Sequence, residues 1–373
     1  MASIKIKLGE LISISEDKNS ENLYSVDDVK GISIQKKFIE TKADMDGVSL
    51  RPYLLVKPDD FAYVTVTSRN GEKITLAHNT SDKTYIVSSS YIVFRVIRPD
   101  VLLSDYLFMY FNRPEFDRYS RFNSWGSARE TFSWEEMCDI DIELPPIEIQ
   151  RKYVEIYKGM LDNQIAYETG LEDLKLVCDG YIEDLKRKYT LERLECYLER
   201  TNIKNSDNKI KNVKNVSVYK TFNEPTAKVN KNELSGYKIV KPNEISFVQT
   251  THNEKVFAFA INNTEDDIVV TSVNEVFKTT DELDPYYLCL FFMRKEFDRY
   301  ARFHSWGSAR ETFVWEDLCD VKIPVPPINI QKSIADIFKV FQERKKINEQ
   351  LKQQIKNICP VLIKGAVEEA KRS

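Results

Sequence analysis

The stretch SWGSARETF stands at residues 124–132 and again, unchanged, at 305–313. Nine identical residues hardly recur by chance in a chain of 373, so the repeat decides how the rest is divided. Outward from it, EFDRYSRFNSWGSARETFSWEEMCD (115–139) matches EFDRYARFHSWGSARETFVWEDLCD (296–320) at 20 of 25 positions. The match runs on through LPPIEIQ (144–150) and VPPINIQ (325–331). Upstream it weakens but keeps register: VKGISIQKKF (29–38) faces VKNVSVYKTF (213–222), and VKPDD (56–60) faces VKPNE (240–244). A unit of half the chain is duplicated in tandem, far longer than the roughly 20–50 residues of a solenoid repeat.

Each unit has two parts. Short β-rich runs, such as FAYVTVTS (61–68), TYIVSSSYIVFRVI (84–97) and DIVVTSVNEVF (267–277), mix with turns and a helical segment, SDYLFMYFNRPEFDRYSRF (104–122). They predict α+β domains over 1–146 and 191–327. After Pro145-Pro146 and Pro326-Pro327 the pattern changes to helical spacing, since proline suits a helix start. Val154, Tyr157, Leu161, Ile165, Leu171, Leu174, Cys178, Tyr181 and Leu185 form one stripe. Ile330, Ile334, Ile337, Phe341, Leu351, Ile355, Ile358 and Leu362 form the other, with polar gaps at Glu168, Arg344 and Asn348. The pattern predicts spacer helices over 147–190 and 328–373, paired as an antiparallel two-helix coiled coil with pseudo-twofold symmetry. About 40 residues at about 1.5 Å each would make a spacer near 60 Å. Pro360 is expected to kink or end the second helix.

Composition excludes several classes. Hydrophobic content of 42% with 12% aromatics is that of globular domains. No leader-like apolar segment follows MASIKIKLGE, and no apolar run approaches the roughly 18 residues of a membrane span, so a cytoplasmic protein is expected. Six cysteines without CxxC spacing, two of them repeat mates (Cys138 and Cys319), imply buried reduced thiols. A net charge of −4 argues mildly against a free-standing, non-specific nucleic-acid binder.

Catalytic signatures are missing. The chain has no GxG, so neither dinucleotide nor P-loop fingerprints occur. Pro145-Pro146 and Pro326-Pro327 lack the Asn/Asp and aromatic neighbours of an amino-methyltransferase motif. The three histidines (78, 252, 304) have no metal-ligand spacing, so no metal is expected. Pro58-Asp59-Asp60 would open a nuclease motif only with a following Glu-x-Lys; a strand-start turn is the plainer reading. The repeat holds all four tryptophans, 125, 134, 306 and 315, beside arginines. The tryptophans read as buried corner residues. The loops offer Ser124, Ser127 and Arg129, with mates Ser305, Ser308 and Arg310, for phosphate contact. For the two arginines, pairing to Glu130 or Glu311 stands as an equal alternative.

FDRYxRFxSWGSARETFxWExxCD followed by PPIxIQ, once per repeat, resembles the specificity subunit of type I restriction–modification enzymes. The resemblance covers essentially the whole chain. It implies two target-recognition domains, each reading one half-site of a split sequence in double-stranded DNA, with conserved helices setting the spacing. It implies a non-catalytic chain without cofactor, docked to two methyltransferase subunits and through them to restriction/motor subunits. S-adenosylmethionine, ATP and Mg are then expected on those partners. Base reading should lie where the repeats differ, in SRNGEKITLAHNTSDK (68–83) against THNEKVFAFAINNTEDD (251–267). Arg69, Asn70, Lys73, His252, Asn253 and Lys255 are the candidates, since Arg/Lys suit guanine edges and Asn adenine. The acidic pI of 5.7 leaves a coiled-coil scaffold that binds only proteins as the alternative.

Overall fold

The computed structural model describes residues 3–67, 73–127, 129–250, 256–307 and 311–372. The chain divides into two compact units. The first comprises 1–165 with 349–373, and the second 166–348.

The helices are α1 (Ser104–Phe111), α2 (Pro114–Phe122), α3 (Trp134–Cys138), α4 (Ile147–Lys188), α5 (Pro285–Phe292), α6 (Lys295–Phe303), α7 (Trp315–Cys319), α8 (Ile328–Lys356) and α9 (Ile358–Arg372). The second long helical stretch is thus broken at Asn357, with Pro360 in the first turn of α9, where its missing N–H costs no bond. In the first unit a four-stranded antiparallel sheet runs Ile12–Ile14, Tyr91–Val96, Phe61–Val64, Leu76–His78. In the second the order is Leu198–Arg200, Asn274–Thr279, Ile245–Val248, Phe259–Ile261. The central strands bury both faces, as the runs FAYV and ISFV require.

Below each sheet lies an aromatic core. Phe61, Phe94 and Phe111 meet Phe116 and Phe132 of the repeated motif in the first unit. Phe257, Phe259 and Phe292 meet Phe297 and Phe313 in the second. The motif is therefore partly architecture: two of its three phenylalanines per copy are core residues.

The glutamine of PPIxIQ clamps each helix start. Gln150 is fully buried; its amide donates to the carbonyls of Val101 (2.7 Å) and Pro145 (2.9 Å) and accepts from the Leu103 N–H (3.1 Å). Gln331 repeats this with Glu282, Pro326 and Asp284. A buried amide so engaged can hardly be replaced without stranding backbone groups.

Within each unit the long helices pair antiparallel. In the first, Tyr153 of α4 lies against Gly365 and donates to Glu369 of α9, while Tyr157, a turn later, meets Cys359, earlier in α9. In the second, Gly170 of α4 lies beside Arg344 of α8, and Cys178 packs into one core with Phe338. The stripe departs from the sequence expectation at two places. Ile165 and Tyr181 are exposed, and Gln164 and Ile182 are buried instead. In α8, Phe338 is buried and Phe341 only half-buried, and Asn348, expected as a gap, is buried. A 3.5-residue stripe drifts about 20° per heptad on a 3.6-residue helix, and a neighbouring residue takes over the inward position.

The thiols also depart from expectation. Cys178, Cys289 and Cys359 are buried, but Cys138 and Cys319 are half-buried and Cys196 is exposed; all six are free. Burial pushes the Cys178, Cys319 and Cys359 thiols up to about 11, so they are unreactive at neutral pH.

Candidate nucleic-acid interface

The described residues on either side of the divergent segments make the same two contacts, or feet, in each unit. On the near side, Val66 pairs with Thr131 of the first SWGSARETF, and the Thr67 N–H donates to the Glu130 carbonyl at 2.9 Å. On the far side, the Ile74 N–H donates to the Asp117 carboxylate of α2 at 3.3 Å. In the second unit Thr250 pairs with Thr312, and the Phe257 N–H donates to Asp298 of α6 at 3.1 Å. The residues that flank 67–73 and 251–256, two stretches unlike in sequence and length, are thus held by one frame made by the conserved motif.

A buried lysine holds each far foot. Lys36 sits at the turn of a hairpin joining Lys30–Ile32 to Phe38–Glu40, with φ 60, and Lys220 occupies the matching turn with φ 59. A side chain with Cβ in this left-handed region costs about 1–2 kcal/mol. The lysine is retained because its ammonium reaches inward. Lys36 Nζ meets Asp117 at 2.7 Å and donates to the Phe111 carbonyl at the end of α1; Lys220 Nζ meets Asp298 at 2.7 Å and the Phe292 carbonyl at 2.7 Å. Burial pushes both ammonium groups below the usual lysine range, and the facing carboxylates pull them back. These four residues escaped the sequence reading. The available signal was a lysine repeated in a turn between apolar runs, in VKGISIQKKF and VKNVSVYKTF, which served there only to set register.

The base-reading candidates divide as follows. Arg69, Asn70, His252, Asn253 and Lys255 lie outside the described residues. Lys73 is exposed, immediately before the far foot. Among the backbone-contact candidates, Ser308 and Arg310 lie outside the described residues, while Ser127 and Arg129 are exposed. Ser124 and Ser305 do not fit the expectation. Each is buried and gives its hydroxyl proton to a helix carbonyl four residues back, Ser120 and Ala301, at 2.6 Å. A hydroxyl with its donor so committed cannot donate to a phosphate. Glu130 and Glu311 pair with Arg121 and Arg302. Gly126 has φ 141, and a Cβ there would collide with the Arg129 carbonyl, so the tight loop requires glycine.

The tryptophans split. Trp134 and Trp315 pack against Phe94 and Phe277, ring centroids 5.4 and 5.6 Å apart, as corner residues should. Trp125 and Trp306, expected to be buried, are instead 63% and 71% exposed. Phe122 and Phe303 beside them are equally open.

The Pro-Asp-Asp segment is a turn. Asp59 and its mate Asn243 adopt φ 66 and 65, while Asp60 and Glu244 cap the N–H groups of Lys57 and Lys241. Among the described residues no cluster of three His, Cys, Asp or Glu side chains could hold a metal ion, and no helix is long and apolar enough to cross a membrane.

The family model of the type I restriction modification DNA specificity domain matches twice, over residues 5–175 and 196–357. The chain belongs to this family. As a type I specificity protein it is organised as two family domains, and the repeated motif lies inside each match. Its fold is similar to the crystal structure of a type I restriction–modification system S subunit from M. genitalium, with a TM-score of 0.59. That match covers 99% of this chain and 96% of the other at 10% identity. The HsdS subunit from Thermoanaerobacter tengcongensis is similar over 98% of this chain and 96% of that one, at 14% identity and a TM-score of 0.40. No curated protein sequence matches.

Proposed function

We propose that this type I specificity protein reads a split sequence in double-stranded DNA, one half-site per unit. It carries no catalytic centre itself, needs no cofactor, and docks two methyltransferase subunits that bring S-adenosylmethionine. Restriction/motor subunits join through the methyltransferases and bring ATP and Mg. The observation that carries the reading is the pair of feet: one conserved frame holds two unlike segments, which is what two different half-sites on one scaffold require. Base contacts then belong to the divergent segments, with Arg69, Asn70, Lys73, His252, Asn253 and Lys255 as candidates. Ser127, Arg129, Ser308 and Arg310 are left for the sugar–phosphate backbone, which carries no sequence information.

The test is binding to single-base variants of the methylated site, with the methyltransferase subunit present, across several salt concentrations. Asn70→Ala or Arg69→Ala should relax one position at a cost of about 1–3 kcal/mol. Arg129→Ala should weaken all sequences alike and reduce the salt slope by about one charge. Altered base preference in Arg129→Ala, with Arg69→Ala and Asn70→Ala unchanged, would reverse the assignment. A net charge of −4 favours the second reading, a coiled-coil scaffold that binds only proteins. That reading predicts no sequence-dependent DNA binding even with the methyltransferase present.

A further inference from the structure

On the sheet of the second unit a charge is buried where the first unit has an apolar residue. Glu275 lies on the strand Asn274–Thr279 and is 5% exposed. Phe247 stands opposite it and Phe277 two residues on, so the three share the core face of the sheet. The carboxylate is fully engaged. Oε2 accepts from Arg200 Nε at 2.7 Å and Asn202 Nδ2 at 2.6 Å, Oε1 accepts from Gln249 Nε2 at 2.8 Å, and Lys238 Nζ is 3.7 Å away. Burial raises the Glu275 carboxyl, but the hydrogen bonds from Arg200 and Asn202 bring it below the usual carboxylate range, so it is ionised at neutral pH. Strand register identifies the counterparts. Arg200 faces Phe277 as Ile14 faces Phe94, Glu275 faces Phe247 as Ile92 faces Tyr63, and Lys238 faces Val270 as Leu54 faces Val87. The first unit thus has three aliphatic residues where the second has three charges.

A buried ion network is a poor way to stabilise that place, because apolar side chains of similar volume often do as well or better. What the network does provide is a guanidinium held in one orientation. Arg200 uses Nε on Glu275, and its Cζ lies 5.7 Å from the centre of the Trp315 ring. The side chain is 43% exposed, and among the described residues no hydrogen bond reaches its two Nη groups. The place is the near foot. Gln249, joined to Arg200 through the one carboxylate, directly precedes Thr250, which pairs with Thr312 of the motif. Chemistry separates the two kinds of DNA contact open to an arginine there. A phosphate calls for unneutralised charge, and the Glu275 carboxylate opposes it. A base edge calls for two donors side by side in a fixed plane, as the Nη groups are, and guanine O6 and N7 are the matching acceptors. Ile14, 39% exposed at the corresponding place, has no donor to offer.

We propose that Arg200 reads a guanine of the second half-site, that Glu275 is the residue positioning it, and that the first half-site has no equivalent contact. The inference rests on the reading given under Proposed function and adds one base position, outside the divergent segments, to those the segments read.

The experiment uses the full chain with the methyltransferase subunit, titrated at several salt concentrations with duplexes carrying each single-base change in both half-sites. The variants are Arg200→Lys, Glu275→Gln and Arg200→Ile/Glu275→Ile. The double variant installs the pair that the first unit already holds as Ile14 and Ile92 and removes both members of the ion pair together, so it should fold, which its melting temperature checks. The parent should prefer guanine at one position of the second half-site by at least about fivefold. The double variant should lose that preference at that position alone, with the first half-site unchanged. Arg200→Lys keeps the charge without the planar fork and should not retain the preference. Glu275→Gln should weaken it at the same position by a smaller factor. Parent selectivity in Arg200→Lys would make Arg200 no more than a point charge for the DNA, and that variant decides alone if the double variant melts early. Parent selectivity in the double variant, or a loss spread evenly over all positions, would make the network structural. Each of these outcomes overturns the inference while the proposed function stands. A parent chain without any base preference overturns the proposed function and this inference with it.

Discussion

At the scale of single residues, the most informative side chains are the buried lysines. Lys36 is 4% exposed and its partner Asp117 13%, so the charge of each depends on the other. Removing one member of a buried pair strands the other charge and costs about 3–5 kcal/mol. Lys36→Met should therefore destabilise the first unit by about that amount in denaturant unfolding. The double change Lys36→Met/Asp117→Leu should recover much of it, since an apolar pair of similar volume is tolerated. It should not recover base selectivity at the first half-site, because the Ile74 N–H still lacks its acceptor. Selectivity equal to the parent's in the double variant would show that the far foot does not position the segment. His78 gives the first unit a pH dependence that the second lacks, Ile261 being its mate. It is buried and stacked on Phe61 at 4.5 Å, with Asp59, Asp105 and, beyond Asp105, Lys158 as its charged neighbours. Burial holds it below its ordinary value, and Asp105 and Asp59 offset only part of that. A depressed histidine stays neutral in the folded state while the unfolded chain takes up a proton. Stability is thus retained above the unfolded value near 6.5 and falls as pH drops below it, by about 1.4 kcal/mol per unit of depression. Thermal midpoints from pH 7.5 to 5.5 should fall more steeply for the parent than for His78→Ile. Parallel curves would remove His78 as the cause.

At the scale of elements, the junction between domain and helix hangs on one side chain. Gln150 and Gln331 each satisfy three backbone groups from the loop ahead of α1 or α5 and the turn ahead of the helix. Gln331→Leu leaves the Asp284 N–H and two carbonyls without partners, and about 2–4 kcal/mol should be lost, since each stranded buried group costs about 1–3 kcal/mol and some rehydrate. The helix pair supplies the contrast. Ile165→Lys, at a position the apolar spacing assigns to the seam, should change stability by less than about 0.5 kcal/mol, because the side chain is 56% exposed. Chemical denaturation of both variants tests the pair of expectations, and a large loss for Ile165→Lys would restore it to the seam.

At the scale of the whole molecule, the duplication makes the reading segments exchangeable. Val66 and Thr250 make the same near foot with Thr131 and Thr312, and Asp117 and Asp298 make the same far foot. A chain in which residues 67–73 are replaced by a copy of 251–256 should fold and still bind methyltransferase. It should direct methylation to a site whose first half-site has acquired the preference of the second. Mapping methylated positions in host DNA reads this directly, and an unchanged first half-site would place base reading elsewhere.

The sequence by itself determined what is periodic or repeated. Two copies of SWGSARETF imposed two units, the Pro-Pro steps located the starts of α4 and α8, and the absence of GxG and metal spacing excluded the familiar catalytic motifs. These signals are local, so no knowledge of the fold was needed to read them. Only the tertiary structure decided which residues of the motif are free to act. Ser124 and Trp125 are neighbours in an identical string, yet one has its hydroxyl committed to Ser120 and the other stands open. Gln164 rather than Ile165 faces inward because helix pitch and the opposing chain, not hydrophobicity alone, choose the buried side. Lys36 meets Asp117 across 81 residues of chain. A contact of that separation leaves no periodic trace, and burial depends on what the rest of the chain lays over a side chain.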